Sequence, residues 1–125
     1  MYKNKSFTES MTYAISGIAR LLKNERNARF HLAATIIVIL VSAFIKISIQ
    51  EWALIIFAIF FVWIAEAFNT ALEQLFDLVE PGKNGLVKAG KDISAGAVLF
   101  AAVLSVIIGL LILGPPILRL IFPKF

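Results

Sequence analysis

The sequence contains no cysteine, and this absence excludes several kinds of chemistry. Without cysteine there is no disulfide framework, no thiol nucleophile and no cysteine-ligated metal. Nucleotide-binding fingerprints are also missing. The stretch "GKNG" at 82–85 has neither the spacing nor the following Ser or Thr of a Walker loop, and no glycine-rich dinucleotide motif is present. From the residues alone, nucleotide binding is therefore only one possibility.

Apolar residues, by contrast, are abundant. They make up 60% of the 125 residues, and the mean hydropathy is +0.90. Soluble domains are nearer half apolar, so this composition indicates an integral membrane protein. The length allows about three spanning helices of ~20 residues with short connections, as a single domain over 1–125. The net charge of +4 then reports membrane topology rather than nucleic-acid binding.

The pattern of apolar residues predicts an all-α protein with four helical segments. Residues 6–29 read as an amphipathic helix with a capping box in "SFTE". Such a helix lies in the membrane interface with its basic side toward lipid headgroups, or else packs on protein. It lacks the apolar core and cleavage site of a signal peptide, so we expect no cleavage. Three transmembrane helices are predicted at about 30–49, 52–77 and 93–113, followed by a short tail.

The distribution of Lys and Arg predicts the orientation of these spans. The N-terminal segment holds six and the 77–92 loop three, against one in the 46–51 turn and two in the tail. Because cytoplasmic loops are enriched in Lys and Arg, we expect the N-terminus in the cytoplasm and the C-terminus outside. The protein would then be a multi-pass component of the cytoplasmic (inner) membrane. We interpret His31, the only histidine, as an interfacial packing residue rather than a metal ligand.

The stretch "EAFNTALEQLFD" at 66–77 places three carboxylates at the end of the second span. The uncharged part before it, 52–65, would cover only about 21 Å of a hydrocarbon core that is about 30 Å thick. Glu66 should therefore lie several Å inside the apolar slab, with Glu73 near its edge and Asp77 just outside. At about 100° per residue, Asn69, Glu73 and Asp77 share one helix face with Glu66, and we call this face the acidic stripe.

Carboxylates at membrane depth need partners, because burial of an ionised group there costs about 2.5–3.5 kcal/mol or more. One interpretation is structural, with ion pairs to Lys and Arg of neighbouring helices. The other is a functional site. Carboxylate oxygens suit a hard cation such as Mg²⁺, and Lys91 with the basic N-terminal helix could hold anionic oxygens. Together these features indicate a phosphate-bearing substrate with its magnesium, handled at the membrane surface.

The same residues carry a family resemblance. "EAFNTALEQLFD", followed by "KDISAGAV" at 91–98 and preceded by "NERNARFH" at 24–31, resembles the small prokaryotic integral-membrane diacylglycerol and undecaprenol kinases. The three-span layout extends this resemblance over the whole chain. Phe68 and Phe76 stand where the family usually has aliphatic residues, and both lie off the acidic stripe.

The resemblance implies ATP- and magnesium-dependent phosphorylation of a membrane lipid alcohol by a homotrimer with composite sites. By position, Glu66 resembles the catalytic base, with Asn69 beside it. Glu25 and Glu73 resemble the ligands of magnesium and nucleotide. The apolar surroundings of Glu66 would favour acceptance of a proton from the lipid hydroxyl. The other positions that resemble nucleotide-binding residues are Asp77, Gly82, Lys83, Asn84, Lys91 and Asp92.

Two lipids and two other classes of protein stay open at this point. "ERNARFH" and "LILGPP" resemble the undecaprenol kinases more than the diacylglycerol kinases. A small oligomeric transporter or channel using Glu66 is an alternative. However, a conduit needs polar groups along its length, and the third span offers only Ser94 and Ser105. A non-catalytic partner subunit is a further alternative.

Overall fold

The computed structural model describes residues 6–124, and it is helical almost throughout. The four helices are α1 (Phe7–Asn24), α2 (Arg26–Ile45), α3 (Ile49–Val79) and α4 (Gly85–Ile121), and no strand occurs within 6–124. By length and composition, α2, α3 and α4 can each cross a membrane. The predicted fold class, an all-α protein with one amphipathic helix and three apolar helices, is confirmed.

The predicted N-terminal helix 6–29 is divided in two. The capping box is present, since the Glu9 N–H donates to Ser6 Oγ and the Ser6 N–H donates to Glu9 Oε2, both at 3.2 Å. The helix stops at Asn24 because Glu25 has an extended backbone. This break frees carbonyl groups at the end of α1, and the Arg29 guanidinium donates to two of them, those of Leu22 and Lys23.

The connection between α2 and α3 is a three-residue turn at 46–48, earlier than the sequence pattern placed it. Lys46 has a left-handed backbone with φ 60° and ends α2. Ser48 then starts α3 through a second capping box, in which it exchanges hydrogen bonds with Glu51 at 3.0 and 3.2 Å. Gln50–Trp52 are consequently helical. So short a turn makes α2 and α3 antiparallel neighbours.

The helices α3 and α4 are longer than a membrane span requires. With 31 and 37 residues, they extend over about 46 and 55 Å. The side chain of Asn84 caps the start of α4 by accepting from the N–H groups of Leu86 and Val87. The short tail expected after 113 is helical over most of its length, because α4 continues through Pro115 and Pro116 to Ile121. In an apolar environment the helix still satisfies most backbone groups, so the bonds lost at proline are tolerated.

The main packing interface joins α3 and α4, and α2 covers part of it. Ile55, Ile112 and Leu113 form the buried core of this interface. The Ser105 hydroxyl donates to the Ala58 carbonyl at 3.1 Å and ties the two helices together near mid-length. Many large apolar side chains of α2, α3 and α4 stay exposed, as expected for helices that face lipid or other subunits.

Beyond this core, the side chain of Phe76 lies directly over Gly90. A Cβ atom at position 90 would lie 3.0 Å from Phe76 Cε1 and closer still to Cζ. A side chain at position 90 would therefore overlap the Phe76 ring. The contact brings α3 and α4 together beside Asp77 and Lys91, which form an ion pair.

We expect Gly90→Ala to lower the thermal unfolding temperature in detergent, because the overlap must displace the ring at a cost of about 1–3 kcal/mol. Gly96→Ala is the matched control. It brings the same gain in helix propensity, but nothing lies within 4 Å of its Cβ. Adding Phe76→Leu to Gly90→Ala should restore most of the loss. If Gly90→Ala is as stable as Gly96→Ala, the packing argument is wrong.

Candidate active site

The acidic stripe of α3 faces the interior of the protein rather than its lipid-facing surface. Glu66 is only 1% exposed, and Asn69 is buried one turn further on. Burial then decreases toward the end of the helix. Glu73 is half-buried, and the Asp77 side chain is 63% exposed. The stripe therefore runs from a buried carboxylate to an open, charged end.

The buried carboxylate of Glu66 has an imidazole as its neighbour. His31 Nε2 on α2 lies 3.4 Å from Glu66 Oε2, within ion-pair distance. Glu66 Oε2 forms no hydrogen bond with any residue of 6–124. The His31 ring also packs edge-on against Trp63, with centroids 6.4 Å apart. The Trp63 indole N–H donates to the Thr35 hydroxyl, which donates to the His31 carbonyl. These contacts fix the register of α2 against α3.

The next polar residue, Asn69, forms hydrogen bonds with α4 and with its own helix. Its amide oxygen lies 2.7 Å from the Ser94 hydroxyl of α4, and that hydroxyl is also 3.0 Å from the Lys91 carbonyl. The Asn69 amide nitrogen donates to Glu73 Oε1 at 3.3 Å. This chain of hydrogen bonds links α3 to α4 and orients the Glu73 carboxylate.

At the open end of the stripe, the charged side chains pair with one another. The Lys91 ammonium of α4 donates to Asp77 of α3, and Lys88 forms an ion pair with Asp92 at 2.7 Å. Both pairs lie at the surface, where such interactions contribute little to stability. The ammonium of Lys91 is therefore available at modest cost to an anionic ligand.

A groove of about 380 Å³ lies between α1 and α3, beside the stripe. Glu25 lines it from the break between α1 and α2, and its carboxylate makes no capping hydrogen bond. Thr70 and Gln74 line the opposite wall, and Arg20 adds a positive charge. In the connection between α3 and α4, Gly82 and Lys83 are exposed, and the Gly82 N–H donates to Glu80. The groove thus places the Glu25 carboxylate opposite Thr70 and Gln74 of α3, beside the acidic stripe.

The same stretch of chain matches a known family. The family described as "Prokaryotic diacylglycerol kinase" matches residues 12–113. The chain belongs to the prokaryotic diacylglycerol kinase family. It is 41% identical over 109 residues to the undecaprenol kinase of Bacillus subtilis (strain 168), covering 87% of this chain and 89% of the relative. It is 37% identical over 112 residues to the diacylglycerol kinase of Synechocystis sp. (strain ATCC 27184 / PCC 6803 / Kazusa), covering 89% of this chain and 64% of that relative. Family membership confirms the resemblance drawn from the sequence.

For this family member, the structure brings together some of the residues singled out in the sequence and separates others. Glu66, Asn69 and Glu73 form one continuous polar track with Ser94. Glu25 instead faces the α1–α3 groove. Across 6–124, no three His, Asp or Glu side chains are grouped closely enough to hold a metal ion. The assignment of Glu25 and Glu73 as magnesium ligands stays a prediction, although carboxylate oxygens suit that ion.

The structural and the functional interpretation of the carboxylates each fit a different part of α3. Asp77 has a lysine partner on the neighbouring helix α4, as the structural interpretation expects, whereas Asp92 pairs with Lys88 of its own helix. Within the described range of the chain, neither Glu66 nor Glu73 has a Lys or Arg at ion-pair distance. The buried part of the stripe therefore differs from its surface end, where Asp77 forms an ordinary ion pair.

The contact between His31 and the acidic stripe was not predicted from the sequence. The antiparallel pairing of α2 and α3 could have indicated it. His31 lies about 22 Å along α2 and Glu66 about 27 Å along α3 from the 46–48 connection, so the two residues are within about one helical turn of each other. The sequence pattern placed the connection between α2 and α3 later in the chain, so the proximity of His31 to Glu66 was not predicted. Ser94 was noted in the sequence only as one of two hydroxyls in the third span.

We expect Ser94→Ala to destabilise the protein by about 1–3 kcal/mol, because it leaves the buried oxygen of Asn69 without a donor. Thermal unfolding in detergent measures the change. The matched control is Ser42→Ala, because the Ser42 hydroxyl is also buried but has no hydrogen-bond partner among residues 6–124. A loss no larger than that of Ser42→Ala would show that the link between Asn69 and Ser94 does not stabilise the helix pair.

Proposed function

We propose that this protein is a lipid kinase that transfers the γ-phosphate of ATP to the hydroxyl of a membrane lipid alcohol. The observation that carries the proposal is Glu66, a carboxylate buried among membrane helices with no Lys or Arg partner within 6–124. Such a group is suited to accept a proton rather than to form a structural ion pair. Family membership and the names of both relatives support the same activity.

A second groove supports a lipid substrate. It has a volume of about 660 Å³, is formed by α2, α3 and α4, and is lined almost wholly by apolar side chains. His31 lies on its wall, and the groove extends along the helices as far as Leu118. A hydrocarbon chain lying there would bring its hydroxyl end toward His31 and its neighbour Glu66. An apolar groove that ends beside His31, the neighbour of Glu66, fits a lipid alcohol better than a soluble acceptor.

The chemistry follows from these positions. Glu66 takes the proton of the lipid hydroxyl while the oxygen attacks the γ-phosphorus, and the bond to the bridging oxygen of ADP breaks. Asn69 fixes the geometry beside the base. Glu25 and Glu73 would hold Mg²⁺, which neutralises charge on the phosphates when bound. Lys91 binds the phosphate oxygens. The remaining contacts to the nucleotide are assigned to Asp77, Gly82, Lys83, Asn84 and Asp92.

We further propose undecaprenol as the lipid. This chain is 41% identical to the undecaprenol kinase relative and matches 89% of that relative's length. It is 37% identical to the diacylglycerol kinase relative and matches 64% of that relative's length. The "ERNARFH" and "LILGPP" stretches point the same way. Diacylglycerol is the second candidate, supported by the Synechocystis relative.

The assembly and its orientation belong to the same proposal. We infer a homotrimer in the cytoplasmic membrane, with the N-terminus and the open end of the stripe in the cytoplasm, where ATP is found. The excess of Lys and Arg in the N-terminal segment and the 77–92 loop supports this orientation. The apolar surfaces left exposed on α2, α3 and α4 support association with lipid and with further copies. A channel is less well supported, because the polar residues of the stripe collect at one end of the helices.

The direct test is an assay of the purified full chain in mixed micelles with ATP, Mg²⁺ and either undecaprenol or diacylglycerol. We expect phosphate to appear on the lipid, faster with undecaprenol. Faster phosphorylation of diacylglycerol would reverse the choice of lipid and keep the kinase. If no lipid alcohol is phosphorylated, the proposed function is wrong, and Glu66 must be reconsidered as part of a transport pathway.

We expect Glu66→Gln and Glu73→Gln to separate catalysis from nucleotide binding. The two residues lie about 10 Å apart along the helix axis, too far for both to bind one small ion directly. Glu66→Gln should keep Mg²⁺-ATP affinity and lower turnover by ~10²-fold or more, as for a lost general base. Glu73→Gln should weaken Mg²⁺-ATP binding in calorimetry.

Glu51→Gln is the control for this pair of variants. It changes a carboxylate of the same helix at its opposite end, and glutamine preserves the capping box. Its turnover and nucleotide affinity should match those of the unchanged protein. Equal losses of nucleotide affinity in Glu66→Gln and Glu73→Gln would contradict the division of roles.

A further inference from the structure

The contact between Glu66 and His31 has no part in the mechanism given above. Both side chains are largely buried, with exposed fractions of 2% for Glu66 and 16% for His31. Their facing atoms are 3.4 Å apart, and Glu66 Oε2 has no hydrogen bond within residues 6–124. A distance of this size is long for a hydrogen bond, but catalytic hydrogen bonds often shorten only when substrate binds.

The reaction itself creates a need for such a neighbour. A base that takes the hydroxyl proton must lose it again before the next turnover, and Glu66 is almost fully enclosed. Asn69 and Thr70, the adjacent polar groups of α3, cannot take up a proton at neutral pH. Histidine is the side chain best suited to take up and release one there. His31 is the more exposed member of the pair, and it lies only about 8 Å along α2 from Arg26 at the polar end of the helix.

Within 6–124, the other helices offer no competing group. On α4, Ser94 contacts this part of the stripe through Asn69. Lys91 is bound to Asp77 further out. The charged residues near the end of α1 line the separate groove beside Thr70. These are Arg20 and Glu25.

Given the lipid kinase function proposed above, we propose that His31 acts through Glu66, as the positioning residue that orients its carboxylate and removes its proton in each turnover. The O–H bond of the lipid breaks as the O–P bond to the γ-phosphorus forms, and the proton goes to Glu66. It then passes from Glu66 to the unprotonated Nε2 of His31, while Nδ1 releases its proton to water. Exchange of the ring protons with water then returns the imidazole to the tautomer with its proton on Nδ1. The imidazole ends each cycle neutral, and the carboxylate ends it ionised.

The orientation of the His31 ring fits this role. The ring is fixed by its edge contact with Trp63, whose indole is in turn bonded to Thr35 of α2. This places Nε2 toward Glu66 in the absence of substrate. A histidine that only filled space would not need a nitrogen within ion-pair distance of a carboxylate that has no other partner in the described part of the chain.

The test compares three variants in the lipid phosphorylation assay. His31→Gln keeps a polar side chain but cannot carry a proton, and we expect kcat to fall by about 10-fold or more with the KM for Mg²⁺-ATP nearly unchanged. His31→Ala should fall at least as far, and added imidazole should restore part of its rate. That recovery should grow with the basicity of substituted imidazoles, which a structural role would not produce. Ser42→Ala, on the same helix and away from the site, should keep its rate.

The outcomes separate this inference from the proposed function. An unchanged protein that phosphorylates no lipid overturns both. An active protein whose His31→Gln variant keeps its full kcat overturns the role of His31 alone. A loss of rate that no imidazole restores shows that His31 is only structural, and this also overturns the role.

A spectroscopic measurement tests the contact without altering His31. Because His31 is the only histidine, ¹⁵N-histidine labelling reports this ring alone. The ring ¹⁵N shifts show which nitrogen carries the proton, and we expect it on Nδ1, which leaves Nε2 free to accept the proton of Glu66. Glu66→Gln should change both ring signals, whereas Glu51→Gln should leave them in place. Identical spectra for the unchanged protein and Glu66→Gln would overturn the proposal.

Discussion

A carboxylate enclosed between membrane helices is the constraint on which the arrangement of this protein depends. Glu66 is almost fully buried, and an uncompensated charge in apolar surroundings is costly. Helix α3 therefore needs polar neighbours at this depth, and other helices supply them. His31 comes from α2 and Ser94 from α4, where it reaches the stripe through Asn69. The register of all three apolar helices is thus tied to one small group of polar atoms.

The helices themselves could largely be predicted from the sequence, because hydropathy and helical spacing are local properties. Such patterns predicted the all-α fold class, the number of apolar helices and the capping box at Ser6. The errors lie where two local signals compete. Ser48 and Glu51 start α3 before the apolar run begins, and Pro115 and Pro116 do not stop α4. In an apolar solvent, a helix that loses two hydrogen bonds is still better than an unfolded segment.

The candidate site could be predicted only in part. The members of the acidic stripe share a face of one helix, so their spacing was enough to group them. The contacts of His31 and Ser94 with that face depend on how α2 and α4 are set against α3. A sequence pattern does not specify that register. The position of Glu25 could not be predicted either, because it depends on the break between α1 and α2. No local pattern indicated that break, because Arg29 stabilises it from the next helix.

The close pairing of α3 and α4 has a consequence for biosynthesis. The chain leaves the ribosome from its N-terminus, so α3 is complete before the residues of α4 have been made. At that moment the Asn69 side chain does not yet have its hydrogen bond from Ser94, and the polar side of α3 is unfavourable in contact with lipid. The connection at 80–84 is short enough for α4 to follow at once as the second arm of a hairpin. Entry of the two helices into the bilayer as one unit lets the stripe stay covered, whereas α2 can enter alone.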